Sequence, residues 1–222
     1  MTVKVSALNK TYLQGNKRVH AVRDLFLSVE KGEFCSIVGA SGCGKSTLLQ
    51  LLAGNLAPDS GRIVIDDVEM TSASEEKRAE MRRQKIGFVY QRFNLVGGLT
   101  AKENIVLPSL LDGRQPDAAW FSELADKLGI RDRLDHLPSQ MSGGQMQRTA
   151  IARALINRPS ILIADEPTGN LDKETAAEIF DLFMTLHREG PTLIIVTHDP
   201  SLAERADRRY RMDNGMLARC SA

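Results

Sequence analysis

The sequence is poor in cysteine, carries almost no net charge and contains no long apolar run. Its 222 residues include three cysteines, Cys35, Cys43 and Cys220. These are too few and too scattered for a disulfide framework or a metal-ligand cluster, which favours a reducing compartment. Cys35 and Cys220 read simply as small hydrophobes. Lys plus Arg number 29 against 28 Asp plus Glu, a formal charge of +1. No bulk field therefore draws the chain to nucleic acid or to an anionic bilayer, and no nucleic-acid partner is expected. The most apolar stretches, Ile161-Leu-Ile-Ala and Leu193-Ile-Ile-Val, are far shorter than the roughly 20 residues of a membrane-spanning helix. The start, Met1-Thr-Val-Lys-Val, lacks the charged, apolar, small-residue order of a signal peptide. No span and no secretion are expected.

What is present is an alternation of short apolar runs and helical patterns. Val3 to Leu8 and Ala21 to Val29 read as strands around a polar turn at Gln14-Gly15-Asn16-Lys17,. Phe34 to Gly39 is a compact apolar strand, and a glycine-rich segment leads from it into a helix over Lys45 to Ala53, stopped by Gly54,. A turn at Pro58-Asp-Ser-Gly61 precedes a short strand at Arg62 to Ile65, and the charged run Ser74 to Arg83 reads as an exposed helix,. From Phe93 to Pro159 the texture turns helical, with helices expected over Ala118 to Leu128 and Gly144 to Ile156. Strand and helix then alternate: Ile161 to Ala164, Glu174 to Arg188, Thr192 to Val196, Pro200 to Arg205. That order argues for an α/β fold with a parallel sheet flanked by helices. The expected organisation is a single domain with a core of residues 1–91 and 159–222 and a helical insertion at 92–158, and no repeat or low-complexity linker interrupts it.

Gly39-Ala-Ser41-Gly42-Cys43-Gly44-Lys45-Ser46 fits the phosphate-loop pattern, and it stands where the mechanism of that motif requires, after a strand and before a helix. Its glycines let the backbone N–H groups turn inward toward phosphate oxygens, and the helix N-terminus adds partial positive charge. Lys45 would neutralise the β and γ phosphates, Ser46 would ligate Mg²⁺, and Thr47 would lie near the α phosphate. Cys43 admits two readings: a thiol acidified beside Lys45, or a small residue that fits the loop.

Asp165 and Glu166 end an apolar strand, the edge of an open α/β sheet where ligands bind. Asp165 would hold Mg²⁺ or its bound water, and Glu166 would address the water that attacks the γ phosphate. The strand Thr192 to Val196 ends in Thr197-His198-Asp199, which brings His198 to the same kind of edge, where an imidazole can contact that phosphate and the attacking water.

Met141-Ser142-Gly143-Gly144-Gln145 resembles the signature of ATP-binding-cassette ATPases, and it lies between the phosphate loop and the carboxylates, in that family's order. Ser142 can cap the following helix, making its N-terminus a second anion site. Resemblance covers essentially the whole chain and implies a phosphate-loop cassette: a RecA-like, mostly parallel sheet core, an N-terminal antiparallel β subdomain and an inserted helical subdomain. It further implies that Tyr12 stacks on adenine, that Gln91 senses Mg²⁺, and that Asp172 makes a contact across a dimer. The partner would be a second copy bound head to tail, with Ser142 to Gln145 closing on nucleotide held by the other phosphate loop. Met141 departs from the usual Leu, a change of similar size.

The segments Asp165-Glu-Pro-Thr-Gly-Asn-Leu-Asp172, Gly87-Phe-Val-Tyr-Gln91 and Leu99-Thr-Ala-Lys-Glu-Asn104 are similar to those of lipoprotein-releasing, macrolide-exporting, antimicrobial-peptide-resistance and haem-exporting ATPases. That resemblance implies a separate membrane permease and a peripheral position on the cytoplasmic face; the surface around Gln91 to Leu99, including Arg92, Phe93 and Leu95, is the expected permease contact, since apolar side chains exposed there would need a partner. ATP and Mg²⁺ are the implied ligands. A soluble cassette ATPase in an assembly pathway, such as iron–sulfur biogenesis, would share every nucleotide motif and stands as the alternative.

Overall fold

A two-residue turn at Gly15-Asn16, with Gly15 at φ 59°, joins the first two strands of the computed structural model,. β1 (Val3–Gln14) and β2 (Lys17–Val29) pair antiparallel from Gln14 opposite Lys17 to Val3 opposite Val29. Val3, Val5 and Leu8 on one strand and Val22, Leu25, Leu27 and Val29 on the other bury a common face. Both strands outrun the periodic segments expected of them. The added residues Asn9–Gln14 and Lys17–His20 are mostly polar and at least half-exposed, so only the hydrogen-bond ladder, which leaves no mark on composition, continues the pairing.

The structure describes residues 2–188 and 190–220 and comprises two compact units, Met1–Ala79 with Thr192–Ala222, and Glu80–Pro191. In the first unit β3 (Phe34–Val38) leads through the glycine loop into α1 (Lys45–Leu52), which buries Leu48, Leu49, Leu51 and Leu52. β4 (Ser60–Ile65) pairs with β1, and β5 (Val68–Glu69) with β4, completing an antiparallel sheet of order β2-β1-β4-β5. α2 (Glu75–Gln84) carries the chain into the second unit.

There β6 (Ile86–Val89) is followed by α3 (Ala101–Leu111), α4 (Ala118–Lys127) and α5 (Gly143–Leu155). β7 (Ile161–Asp165) then pairs parallel with β6, and α6 (Lys173–Arg188) follows. α5 packs on α3, β6 and α6. Residues 92–158, the expected helical insertion, lie inside this unit, which also includes β6, β7 and α6. α3 was not expected from periodicity. Its start is written in a capping box, with Glu103 N donating to the Thr100 hydroxyl and Thr100 N to the Glu103 carboxylate,.

Back in the first unit come β8 (Thr192–Thr197), α7 (Pro200–Ala203), β9 (Arg208–Asp213) and β10 (Met216–Arg219). β8 and β9 flank β3 and run parallel to it, and β10 pairs antiparallel with β9. Cys35 is fully buried on β3, and burial pushes its thiol pKa far up, as befits an inert small hydrophobe. The N-terminal antiparallel sheet and the parallel, helix-flanked strands give the expected α/β fold class. Among the described residues, no helix is long and apolar enough to cross a membrane.

Candidate functional site

In the first unit, close approach of backbone explains the glycines of the phosphate loop. A Cβ on Gly39 would lie 2.3 Å from the Met212 carbonyl oxygen, and one on Gly44 would lie 2.0 Å from the Ala21 carbonyl oxygen. Gly44 also takes φ 111° as the N-cap of α1, with no side-chain cap. The first-turn N–H groups of α1 thus have no side-chain acceptor from the cap, which is how a helix N-terminus serves phosphate oxygens. Lys45 is only 6% exposed. Its ammonium donates to the Gly39 and Ala40 carbonyls at 2.7 and 2.9 Å and faces the Cys43 sulfur at 4.0 Å, so the loop's own atoms occupy its three donors.

Ser41 and Ser46 are exposed, and Thr47 is half-buried. The Cys43 sulfur lies 2.7 Å from where a Gly39 Cβ would stand, so the side chain fills the inside of the loop as a small residue does. Replacing Gly44 with Ala is expected to abolish ATP binding, read by titration with a fluorescent nucleotide, and to lower the melting temperature. The added carbon meets backbone rather than a movable side chain, and the residue would keep a left-handed φ.

Val38 stands opposite Thr197 in the β3–β8 register, so the next residues, Gly39 and His198, leave the sheet at the same edge. Together with Ala40, Arg209 and Arg211 they line a cavity of about 490 Å³. Within this unit His198 therefore stands at the edge of the sheet from which the phosphate loop springs. Tyr12, on β1, is 39% exposed with the Lys10 ammonium 6.0 Å from its ring centre, so core packing does not account for its ring.

In the second unit β7 delivers the two carboxylates. Asp165 closes the strand half-buried, and Glu166 follows at φ 45°, a left-handed conformation that costs a non-glycine residue about 1–3 kcal/mol. The turn is closed by Gly169 N donating to the Glu166 carbonyl at 3.0 Å. Gln91 Nε2 lies 3.4 Å from Glu166 Oε2, and Asn170 Nδ2 donates to the Gln91 carbonyl at 2.7 Å. Gln91 and Glu166, 75 residues apart, are thereby brought together.

α5 begins in a reciprocal cap: Gln145 N donates to the Ser142 hydroxyl at 3.3 Å, and Ser142 N donates to Gln145 Oε1 at 2.9 Å. The helix starts at Gly143, one residue before the expected Gly144. A Cβ on Gly143 would stand 3.3 Å from Leu171 Cδ2, and one on Gly144 2.7 Å from Thr175 Cγ2, so these glycines seat α5 against the start of α6. Asp172 caps α6, accepting from Thr175 N at 2.9 Å and the Thr175 hydroxyl at 2.8 Å. Those bonds hold its exposed carboxyl below the usual range.

Two residues on α5 were not singled out in the sequence. Gln147 is fully buried, and its Nε2 donates to the Pro167 carbonyl at 2.7 Å. Arg153 donates to the Phe93 and Asn94 carbonyls at 2.8 and 2.6 Å, and burial draws its guanidinium pKa below the usual range. It thereby holds two consecutive left-handed residues, Phe93 at φ 59° and Asn94 at φ 50°. A polar side chain at helical spacing from the apolar Ala150 and Ile151 was the available signal for Gln147. One expectation needs correction in this loop. Phe93 and Leu95 are half-buried rather than exposed, the Phe93 ring turning toward Gly143; Arg92 is exposed, as is Val96 at 44%.

The expected metal donors, the Ser46 hydroxyl, the Gln91 carboxamide and the Asp165 carboxylate, all offer oxygen. Such a set suits a hard cation such as Mg²⁺, which takes few protein oxygens and keeps water and phosphate as its other ligands.

Residues 22–169 match the ABC transporter family. The chain is 44% identical over 213 residues to the lipoprotein-releasing system ATP-binding protein LolD of Colwellia psychrerythraea, covering 95% of this chain and 83% of that one. It is also 44% identical to the LolD protein of Bordetella pertussis, over 95% of this chain and 92% of the relative. Among solved structures, a dimeric ATP-binding cassette in a post-hydrolysis state bound to ADP and Pi is 36% identical, with a TM-score of 0.90 and 99% of each chain covered.

Proposed function

This chain belongs to the ABC transporter family, and from that premise we propose that it powers the release of lipoproteins, or of a chemically similar amphiphile, through a separate membrane permease. As a family member it is an ATP-hydrolysing subunit coupled to transport. The observation that supports the narrower reading is the 44% identity over 95% of the chain to LolD proteins. Haem, macrolides and peptides are the other cargoes of the resembling subgroup, and the cargo assay below decides among them.

In this reading two copies close head to tail on two ATP molecules. Tyr12 stacks on adenine, and the loop from Gly39 to Thr47 wraps the phosphates. Lys45 and His198 of one copy and Ser142 and Gly144 of the other grip each γ phosphate. Ser46, Gln91 and Asp165 hold Mg²⁺, which when bound offsets charge on the phosphates. Glu166 takes a proton from the attacking water or aligns it in line with the bond that breaks, and Lys45 stabilises the charge that develops. Asp172 contributes to the contact between copies. The subunit lies at the cytoplasmic face of the membrane, held there by the permease.

The permease contact is assigned to the segment of Arg92, Phe93 and Leu95. Its left-handed backbone, clamped by Arg153, is a shaped loop rather than a slack connection, which favours that assignment.

The test is purification of the tagged chain from detergent-solubilised membranes, followed by reconstitution in vesicles. A few-helix permease is expected to co-purify and to stimulate ATP hydrolysis, and addition of ATP is expected to release a lipid-anchored protein. Replacing Phe93 or Leu95 with Asp is expected to weaken co-purification and cut permease-stimulated turnover by about tenfold, as for loss of an interface anchor. Recovery of the chain with no membrane protein would overturn the reading, and stimulation by haem, a macrolide or a peptide in place of lipoprotein would reassign the cargo.

A further inference from the structure

We propose that Gln147 is a positioning residue for ATP hydrolysis, setting through Pro167 the backbone corner from which Glu166 projects. This rests on the reading above in which Glu166 activates the attacking water.

That corner is under conflicting demands. A residue that precedes proline is pushed toward extended conformations, yet Glu166 precedes Pro167 and sits at φ 45°. Relaxation to the extended region would swing its carboxylate away. The Gly169 N–H to Glu166 carbonyl bond at 3.0 Å closes the turn locally. Pro167 is buried and has no N–H, so its carbonyl is the only main-chain handle by which the rest of the unit can grip it,. Gln147 Nε2 takes that handle at 2.7 Å from a helix packed on β6 and α6.

The other end of the same amide argues that the bond is not kept for stability. Gln147 Oε1 is the one buried side-chain oxygen or nitrogen without a hydrogen-bond partner among the described residues. An apolar side chain of similar length would remove that orphaned acceptor while leaving the Pro167 carbonyl unmatched, exchanging one unsatisfied group for another. Folding therefore gains little from glutamine over Leu or Met, whereas the placement of Glu166 depends on the donor. Gln147 also stands in the second turn of the helix whose first turn is Ser142 to Gln145, so one rigid element links the segment that would meet a neighbour's γ phosphate to the residue that would activate the attacking water.

A double-mutant cycle in the full chain tests this, with single-turnover ATP hydrolysis as the readout. Gln147→Leu and Gln147→Met are expected to lower kcat by about tenfold to a hundredfold, the scale of a misplaced catalytic group. KM for ATP, ATP-dependent dimerisation and the melting temperature should stay near those of the parent. In a Glu166→Gln background the same substitutions are expected to cost less than about twofold further, because a residue that acts through Glu166 has nothing left to position. Equal losses in both backgrounds, an effect confined to KM, an unchanged kcat, or unfolding of both variants would each overturn the proposal. If Glu166→Gln alone left turnover intact, the fault would lie with the assignment of Glu166.

Discussion

Replacing Glu166 with Gln is expected to reduce ATP turnover by about 10²- to 10⁴-fold, the usual contribution of a positioned general base, and to trap an ATP-bound dimer. The substitution keeps length and shape, and its amide oxygen can still accept from Gln91 Nε2, 3.4 Å away in the parent chain. What it loses is the ability to take a proton. Binding, closure of the two copies and the fold should survive, so the trapped species accumulates instead of decaying. Size-exclusion chromatography with multi-angle scattering in ATP, compared with ADP, reads the outcome directly. A variant that remains monomeric in ATP, or one that turns over at the parent rate, would contradict the assignment of Glu166 and the closed dimer together.

The second large effect concerns complementary copies. Lys45→Ala removes the cation at the phosphate loop, and Ser142→Asp places a negative charge where the neighbour's γ phosphate would lie. Aspartate is as good an N-cap as serine, so α5 should still start where it does. Each variant alone is expected to be nearly inactive. Mixed in equal amounts, they are expected to recover up to about a quarter of the parent rate, since random pairing makes about half of the dimers mixed and each mixed dimer holds one complete site. No recovery on mixing, with each variant folded and dimerising, would mean that Lys45 and Ser142 do not serve one nucleotide from two chains.

Much of the site was legible because its logic is local. The loop from Gly39 to Ser46 lies within one strand-to-helix transition, and the Ser142 cap within one helical turn, so a few adjacent residues specify each. His198 could be placed because a parallel neighbour of β3 must leave the sheet at the same edge. Gln147 and Arg153 were missed for the opposite reason. Their partners, the Pro167 carbonyl and the Phe93 and Asn94 carbonyls, are main-chain atoms distant along the chain, and backbone acceptors carry no residue identity to match. β9 and β10 were missed although a turn signal was present. Asn214 and Gly215 both take positive φ, as a tight hairpin demands, but the arginines of Arg208 to Arg211 obscured the alternation that buries Tyr210 and Met212. The half-burial of Phe93 was invisible for want of any sign that its ring would turn toward Gly143.

The lysine of the phosphate loop has one more implication. An ammonium ordinarily has to shed a tightly held hydration layer before it can touch an anion, and that shedding opposes association. Lys45 has already been dehydrated by the polypeptide itself, with the Gly39 and Ala40 carbonyls standing in for two waters. An incoming triphosphate thus meets a cation that is dry and aimed, and contact requires only a swap of oxygen neighbours. Nucleotide capture should accordingly be governed by how readily those two carbonyls let go, a property of loop stiffness more than of bulk ionic attraction.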